Sequence, residues 1–187
     1  MTRIDVVDNH GQFTHLERRA LNDIGVDCGI LENTTPPKEI DADGLVLSGG
    51  PGSAGEGKTG GRCEEYLDLD VPVLGICLGM QIMAAGREGS VGPGEYGGYA
   101  DVTVEITDSG DPLVGSLVPE TRVWTSHADQ VKDLPPGFAC TARSEICGIE
   151  AMSDDSETLY GVQWHPEVAH TEEGIEVFEN FQAICEQ

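Results

Sequence analysis

The stretch that decides the fold is Pro72 to Ala84, PVLGICLGMQIMA. An apolar strand, Val71 to Ile76, runs straight into Gly75-Ile76-Cys77-Leu78-Gly79, and a helical pattern, Leu78 to Ala85, follows without a loop. This is the glycine, x, nucleophile, x, glycine elbow between a strand and a helix, with sulfur in place of oxygen. So tight a turn forces the nucleophile into strained backbone, and only flanking residues without a Cβ let the chain pass so closely. Cys77 then sits at a helix N-terminus, whose partial positive charge favours the thiolate. The competing reading is a buried structural cysteine between two packing glycines.

Outward from the elbow the same strand-then-helix order repeats. Arg3 to Asp8 reads as a β-branched strand, Asn9 to Gln12 as a polar turn, and Phe13 to Ile24 as a helix. Val26 to Glu32 and Gly44 to Ser48 are short apolar runs bounded by Gly or Pro, which suits buried parallel strands. Beyond Tyr99 the Val/Thr/Ile alternation of DVTVEI, RVWTS and GVQWH predicts strands. Thr171 to Cys185 reads as a closing helix with Ile175, Val177, Phe178 and Phe181 on its apolar face. Five glycines between Gly89 and Gly98 make the segment Gly86 to Gly98 a candidate for mobility. With no repeat, low-complexity tract or long linker, residues 1–187 read as a single domain of α/β class.

A thiolate nucleophile needs a base, and the chain offers His10, His15, His127, His165 and His170. His165 stands out because the strand Gly161 to Trp164 delivers it at its end, with Glu167 two residues on. In extended chain, positions two apart face the same side, so Glu167 can orient the imidazole while the other ring nitrogen faces the thiol. Cys77, His165 and Glu167 therefore make a triad by role, against the alternative that His165-Pro166-Glu167 is an ordinary polar turn. Acyl transfer also needs donors for an oxyanion. In Ser48-Gly49-Gly50-Pro51-Gly52-Ser53, Pro51 has no N–H, so Gly50 is the natural donor, and elbow geometry makes the Leu78 N–H its partner. Gln81, four residues after Cys77, shares its helix face and is placed to meet the substrate. The alternative for the Gly/Pro cluster is a flexible turn.

Gly52 to Thr59, GSAGEGKT, also matches the literal P-loop pattern, with Lys58 as its lysine. A working P-loop runs from a strand directly into a long helix, whereas Gly49, Gly50 and Pro51 precede this one and Gly60-Gly61 follow it. The helix available afterwards, Arg62 to Leu69, is short. Nucleotide hydrolysis is therefore the lesser reading.

The elbow GICLGMQ, the loop SGGPGS and the segment GVQWHPEV, in this order, resemble the class I, triad-type glutamine amidotransferases over nearly the whole chain. The resemblance implies an open, mostly parallel twisted sheet flanked by helices, flavodoxin-like, with an additional antiparallel strand region. It also implies a glutaminase in which Cys77 attacks the side-chain amide of L-glutamine, His165 is the base and Glu167 orients it. Gly50 and Leu78 would hold the oxyanion. Gly52, Gln81 and the Ser126-His127-Ala128-Asp129 loop would hold the glutamine, with Ser126, His127 and Asp129 at the matching positions. Within the family, Val7 to His15 and Pro166 to Gly174 through Asn180-Phe181 look like the opening and closing segments of the glutaminases of GMP synthesis. Ala128 stands where Gly is more usual and Leu78 where many carry Tyr.

That closer likeness implies a division of labour between two subunits, because glutaminase alone fills 187 residues. A separate ATP-dependent synthetase subunit would receive the ammonia and convert XMP to GMP, in a heterodimer or higher assembly, and would carry the ATP and Mg²⁺; no cofactor is expected in this chain. The remaining readings are a glutaminase for another acceptor, of anthranilate or carbamoyl phosphate type, a γ-glutamyl hydrolase of the same fold, and an inert binding subunit.

Composition sets the solvent and excludes whole classes. With 34 Asp plus Glu against 10 Lys plus Arg the net charge is −24, which repels nucleic acid and anionic membrane surfaces. No run of about 18 apolar residues is present to span a bilayer, and Met1 to Val6 lacks a secretory pattern, so a cytoplasmic protein is expected. Cys28, Cys63, Cys77, Cys140, Cys147 and Cys185 form no C-x-x-C pair, so neither a metal site nor a redox dithiol is expected. Scattered acids with only Lys38, Lys58 and Lys132 as lysines match the surfaces of proteins from salt-loving organisms. The fold is accordingly predicted to loosen in dilute buffer. A thermal melt in dilute buffer and in molar KCl checks this: the transition rises with salt, and an unchanged midpoint contradicts it.

Overall fold

A computed structural model describes residues 1–56, 60–156 and 158–187. Those residues form a nine-stranded sheet with four α-helices. The chain runs β1 (Ile4–Asp8), α1 (Thr14–Asp23), β2 (Ile30–Glu32), β3 (Gly44–Leu47), α2 (Cys63–Tyr66), β4 (Val73–Ile76) and α3 (Leu78–Gly86). It continues with β5 (Ser90–Ile106), β6 (Glu120–Asp133), β7 (Phe138–Arg143), β8 (Ala151–Asp154), β9 (Leu159–Val162) and α4 (Gly174–Cys185). The sheet order is β2-β1-β3-β4-β9-β8-β7-β5-β6. The first five strands are parallel, and β8, β7, β5 and β6 extend the sheet antiparallel. This is the expected architecture, with the doubly wound reversal between β1 and β3.

Period-two alternation explains why the parallel strands read as continuous apolar runs. Ile4, Val6, Val46, Leu74 and Ile76 enter one core with Leu21 of α1 and Val177, Phe178 and Phe181 of α4. Val7, Leu45, Leu47 and Val73 enter the other with Tyr66 of α2 and Met80 and Met83 of α3. Both faces are covered, so both alternating sets are apolar. Complete burial of Phe178 and Phe181 contributes roughly 1.5–3 kcal/mol each. Among the described residues no helix is long and apolar enough to cross a membrane, and all six cysteines are free thiols.

Four expectations are corrected. Ser90 to Gly98, read as part of a mobile glycine-rich segment, belongs to β5 and pairs with β6, with a register shift between Pro93 and Gly98. Ser126 to Asp129, read as a loop, lies inside β6 on the same ladder. Val26 to Glu32 is strand only from Ile30, because the Gly29 N–H donates to the Asp5 carboxylate at 2.9 Å. Ile175 is exposed, not part of the apolar face of α4, since that helix begins at Gly174 and turns its second residue outward.

Candidate active site

The elbow at the end of β4 is as tight as its glycines require. A Cβ on Gly75 would stand 2.5 Å from the Met80 nitrogen, and one on Gly79 would stand 2.1 Å from the Leu47 carbonyl oxygen. Between them Cys77 has φ 51° and ψ −106°, a conformation that L-residues rarely adopt, and it caps the N-terminus of α3. Its N–H donates to Val162 O at 2.8 Å, which ties the elbow to β9.

β9 ends at Val162, short of the expected Trp164, and His165 to Glu167 lie in a turn rather than in extended chain, so the two side chains meet across that turn. His165 is clamped through its own backbone. Its N–H donates to Trp124 O at 2.9 Å, and its carbonyl accepts from Thr171 Oγ1 at 2.6 Å. Trp164, fully buried, anchors the preceding position. The His165 Nδ1 lies 2.7 Å from Glu167 Oε1, and the Glu167 side chain is wholly buried. On its other side the ring shares the cavity wall with Cys77, and the edge of Phe13 meets it at 5.3 Å between centroids. Burial works against protonation of this imidazole, but the interactions with Cys77 and Glu167 outweigh it and carry the pKa up to about 10. The upward shift favours the imidazolium, the form fit to stabilise a thiolate and to give a proton to a leaving group.

Cys77 and His165 open on a cavity of about 540 Å³ at the carboxyl ends of the parallel strands, the position where doubly wound sheets bind ligands. Gly50, Gly52, Leu78, Gln81, Ser126, His127 and Asp129 all line it, so the structure brings the expected site residues together. Gly50 and Leu78 touch closely enough that a Cβ on Gly50 would stand 2.9 Å from Leu78 Cδ2. The Ser126 carbonyl oxygen lies 3.8 Å from Cys77 Sγ. Asp129 accepts from Ser53 Oγ at 2.6 Å. His127 Nδ1 meets Asp129 O at 2.9 Å, and burial pushes its pKa down. Gln81 is more engaged than its spacing suggested: its Nε2 donates to Asp129 O at 2.8 Å and to Gln163 Oε1 at 3.1 Å.

Two site residues escaped the sequence reading. Gln163, fully buried in the bend after β9, donates from Nε2 to Cys77 Sγ at 3.5 Å; it lies beyond the strand, where no two-residue alternation marks it. Glu17 of α1 lines the cavity with its side chain buried. Its signal was the spacing Thr14, Glu17, Leu21, one buried helix face. Of the other histidines, His10 lies on the cavity wall, His15 is exposed, and His170 packs against Trp124 at 5.6 Å. The P-loop pattern enters a short 3₁₀ turn, Ala54–Glu56, and the next α-helix is only the four-residue α2; Gly57, Lys58 and Thr59 lie outside the described residues. Among the described residues no three His, Cys, Asp or Glu side chains are grouped to hold a metal ion.

An α/β fold with a cysteine, histidine and glutamate array at the carboxyl edge of its sheet defines the class of thiol-dependent acyl-transfer enzymes. The chain belongs to the glutamine amidotransferase class I family, whose sequence pattern matches residues 5–185. It is 70% identical over its whole length to a glutamine-hydrolyzing GMP synthase subunit from Haloarcula marismortui, of which it covers 97%. It is 49% identical to the protein of the same name from Archaeoglobus fulgidus, with 99% of this chain and 100% of that one covered. Among solved structures, a Thermoplasma acidophilum protein described as a GMP synthase subunit superposes with a TM-score of 0.92 at 37% identity, covering 100% of this chain and 94% of that one. A glutamine amidotransferase from Thermotoga maritima superposes with a TM-score of 0.73 at 25% identity, covering 89% and 76%.

The elevated His165 pKa depends on the Glu167 carboxylate. In Glu167→Gln the imidazole therefore titrates at lower pH, by one unit or more on the order expected for a lost buried partner. The Cε1–H proton resonance followed by NMR against pH reads this directly; an unshifted midpoint contradicts the assignment of Glu167.

Proposed function

We propose that the chain is the glutaminase subunit of a two-subunit GMP synthase, hydrolysing L-glutamine to glutamate and ammonia through a thioester on Cys77. The observation that carries the chemistry is the buried Cys77, His165, Glu167 array open to one cavity. The acceptor follows from the names of relatives matched end to end.

In this reading the Cys77 thiolate attacks the side-chain amide carbon of glutamine, and the oxyanion takes hydrogen bonds from the N–H groups of Gly50 and Leu78. Collapse of the tetrahedral species breaks the C–N bond as the His165 imidazolium gives its proton to the departing nitrogen, releasing ammonia. The ring, now neutral, takes a proton from water as that water attacks the thioester, freeing glutamate and restoring the thiolate and imidazolium. Glu167 holds Nδ1–H toward itself and so presents Nε2 to the sulfur. Gln163 steadies the thiolate through its amide N–H. Gly52, Gln81, Ser126, His127 and Asp129 bind the amino-acid end of the substrate, where the Asp129 carboxylate suits an α-ammonium group.

The acceptor chemistry belongs to a separate ATP-dependent synthetase subunit that binds ATP and Mg²⁺ and aminates XMP. This chain works as one domain over residues 1–187 without a cofactor, a nucleic acid or a membrane, in the cytoplasm. A free subunit that hydrolysed glutamine at full rate would waste it, so docking is expected to raise the rate.

Ammonia release from glutamine in molar KCl tests the reading, for the wild type and Cys77→Ala, with and without an XMP-aminating ATPase subunit plus XMP, ATP and magnesium. Release is expected to rise with the partner and to fall at least about 10³-fold in the variant. Release that survives in Cys77→Ala, or that is full in the isolated chain and indifferent to the partner, overturns it.

A further inference from the structure

Beside the catalytic array lies an acid that the chemistry above leaves unused. Glu17 is 1% exposed, and neither of its carboxyl oxygens meets a hydrogen-bond partner among the described residues. The outer oxygen of Glu167, Oε2, is buried and unpartnered as well. The first turn of α1 is fixed against the site by three contacts: Phe13 on the His165 ring, and Thr14 Oγ1 with Asp8 Oδ1 at 2.9 Å and with Ser48 Oγ at 3.4 Å. One turn on, Glu17 reaches the wall of the cavity that holds Cys77 and His165.

The charged groups around Glu17 are Asp8 at the end of β1 and, beyond β9, His165 and Glu167. The helix α4, which also packs on α1, brings buried Val177, Phe178 and Phe181 to the shared core. The Gly49 amide lies beside the carboxyl but outside hydrogen-bonding geometry. A carboxylate here would be both desolvated and set against a second carboxylate. Burial first, and Glu167 second, hold its pKa well above the ordinary carboxylate range, while His165 acts the other way. A proton on Glu17 removes that repulsion.

We propose that Glu17 is a positioning residue for the His165 and Glu167 pair: a carboxylic acid that is neutral while the imidazolium is charged, and that tightens the imidazole's hold on its proton when its own passes to solvent. With Glu17 neutral, the site sets the Cys77 thiolate and the Glu167 carboxylate against one imidazolium. Once Glu17 ionises, the site gains a further negative charge. That charge opposes the Cys77 thiolate and retards the proton transfer that expels ammonia, so Glu17 limits the reaction on the alkaline side.

The inference rests on the triad reading proposed above, and its test needs no glutamine. Alkylation of Cys77 by iodoacetamide, read on its peptide by mass spectrometry, is followed on the full chain between about pH 5 and about pH 10 for the wild type and Glu17→Gln. The ratio of variant to wild-type rate is expected to change by roughly threefold or more across the Glu17 ionisation, with the variant faster on the alkaline side. A ratio constant across the range, whether one or a uniform loss from a merely structural role, overturns the proposal. Should the variant fail to fold, the carboxyl carbon of Glu17 is titrated by NMR in the wild type. A midpoint well above the usual glutamate value of about 4.3 supports the proposal, and an ordinary midpoint sinks it. Alkylation with the expected pattern in a protein that never releases ammonia would remove the glutaminase reading and leave this one standing.

Discussion

Everything in this molecule's chemistry depends on one steric constraint, the contact between the backbone of the Cys77 elbow and the strand beside it. Gly79 sits so close to Leu47 O, and Gly75 to the start of α3, that neither position has room for a side chain. The closeness holds Cys77 at φ 51°, and that angle aims the thiol out of the sheet into the cavity while its N–H stays bonded to β9. Since β9 is the strand that delivers His165, the bond between elbow and strand also sets the distance between thiol and imidazole. The parallel sheet thus acts as a ruler for the site, and its two apolar cores keep the ruler stiff.

On that scaffold electrostatics does the rest. Burial alone would make His165 a weaker base, and Cys77 and Glu167 together reverse the sign. A site that depends on a buried carboxylate is sensitive to any second one, and Glu17 is that second one. Burial and the nearby Glu167 both favour its neutral form, which spares the site a further buried negative charge.

Much of this was legible in the residues themselves, for physical reasons that also explain the gaps. The glycine spacing around Cys77 is a local signal, and local geometry enforces it; His165 and Glu167 meet as expected, but across a turn rather than in extended chain. Gln163 and Glu17 meet partners distant in the chain: helix spacing places Glu17 on the buried face without naming what it meets, and Gln163 lies past the end of β9, where alternation no longer applies. The glycine-rich run before Gly98 looks mobile by composition, yet β6 pairs with it through the backbone, which composition does not report. The same ladder turns the Ser126 to Asp129 segment from a loop into strand, and Ile175 faces solvent because α4 starts later than its apolar pattern suggests.

The central claim is covalent: the carbonyl carbon of glutamine passes through a bond to Cys77 sulfur. Rapid acid quenching of the protein during turnover with glutamine, followed by peptide mass spectrometry, tests this most directly. The account predicts an added glutamyl group on the peptide containing Cys77, absent from Cys77→Ala. An adduct on another of the six cysteines, or ammonia formed during turnover with Cys77 never modified, would contradict it.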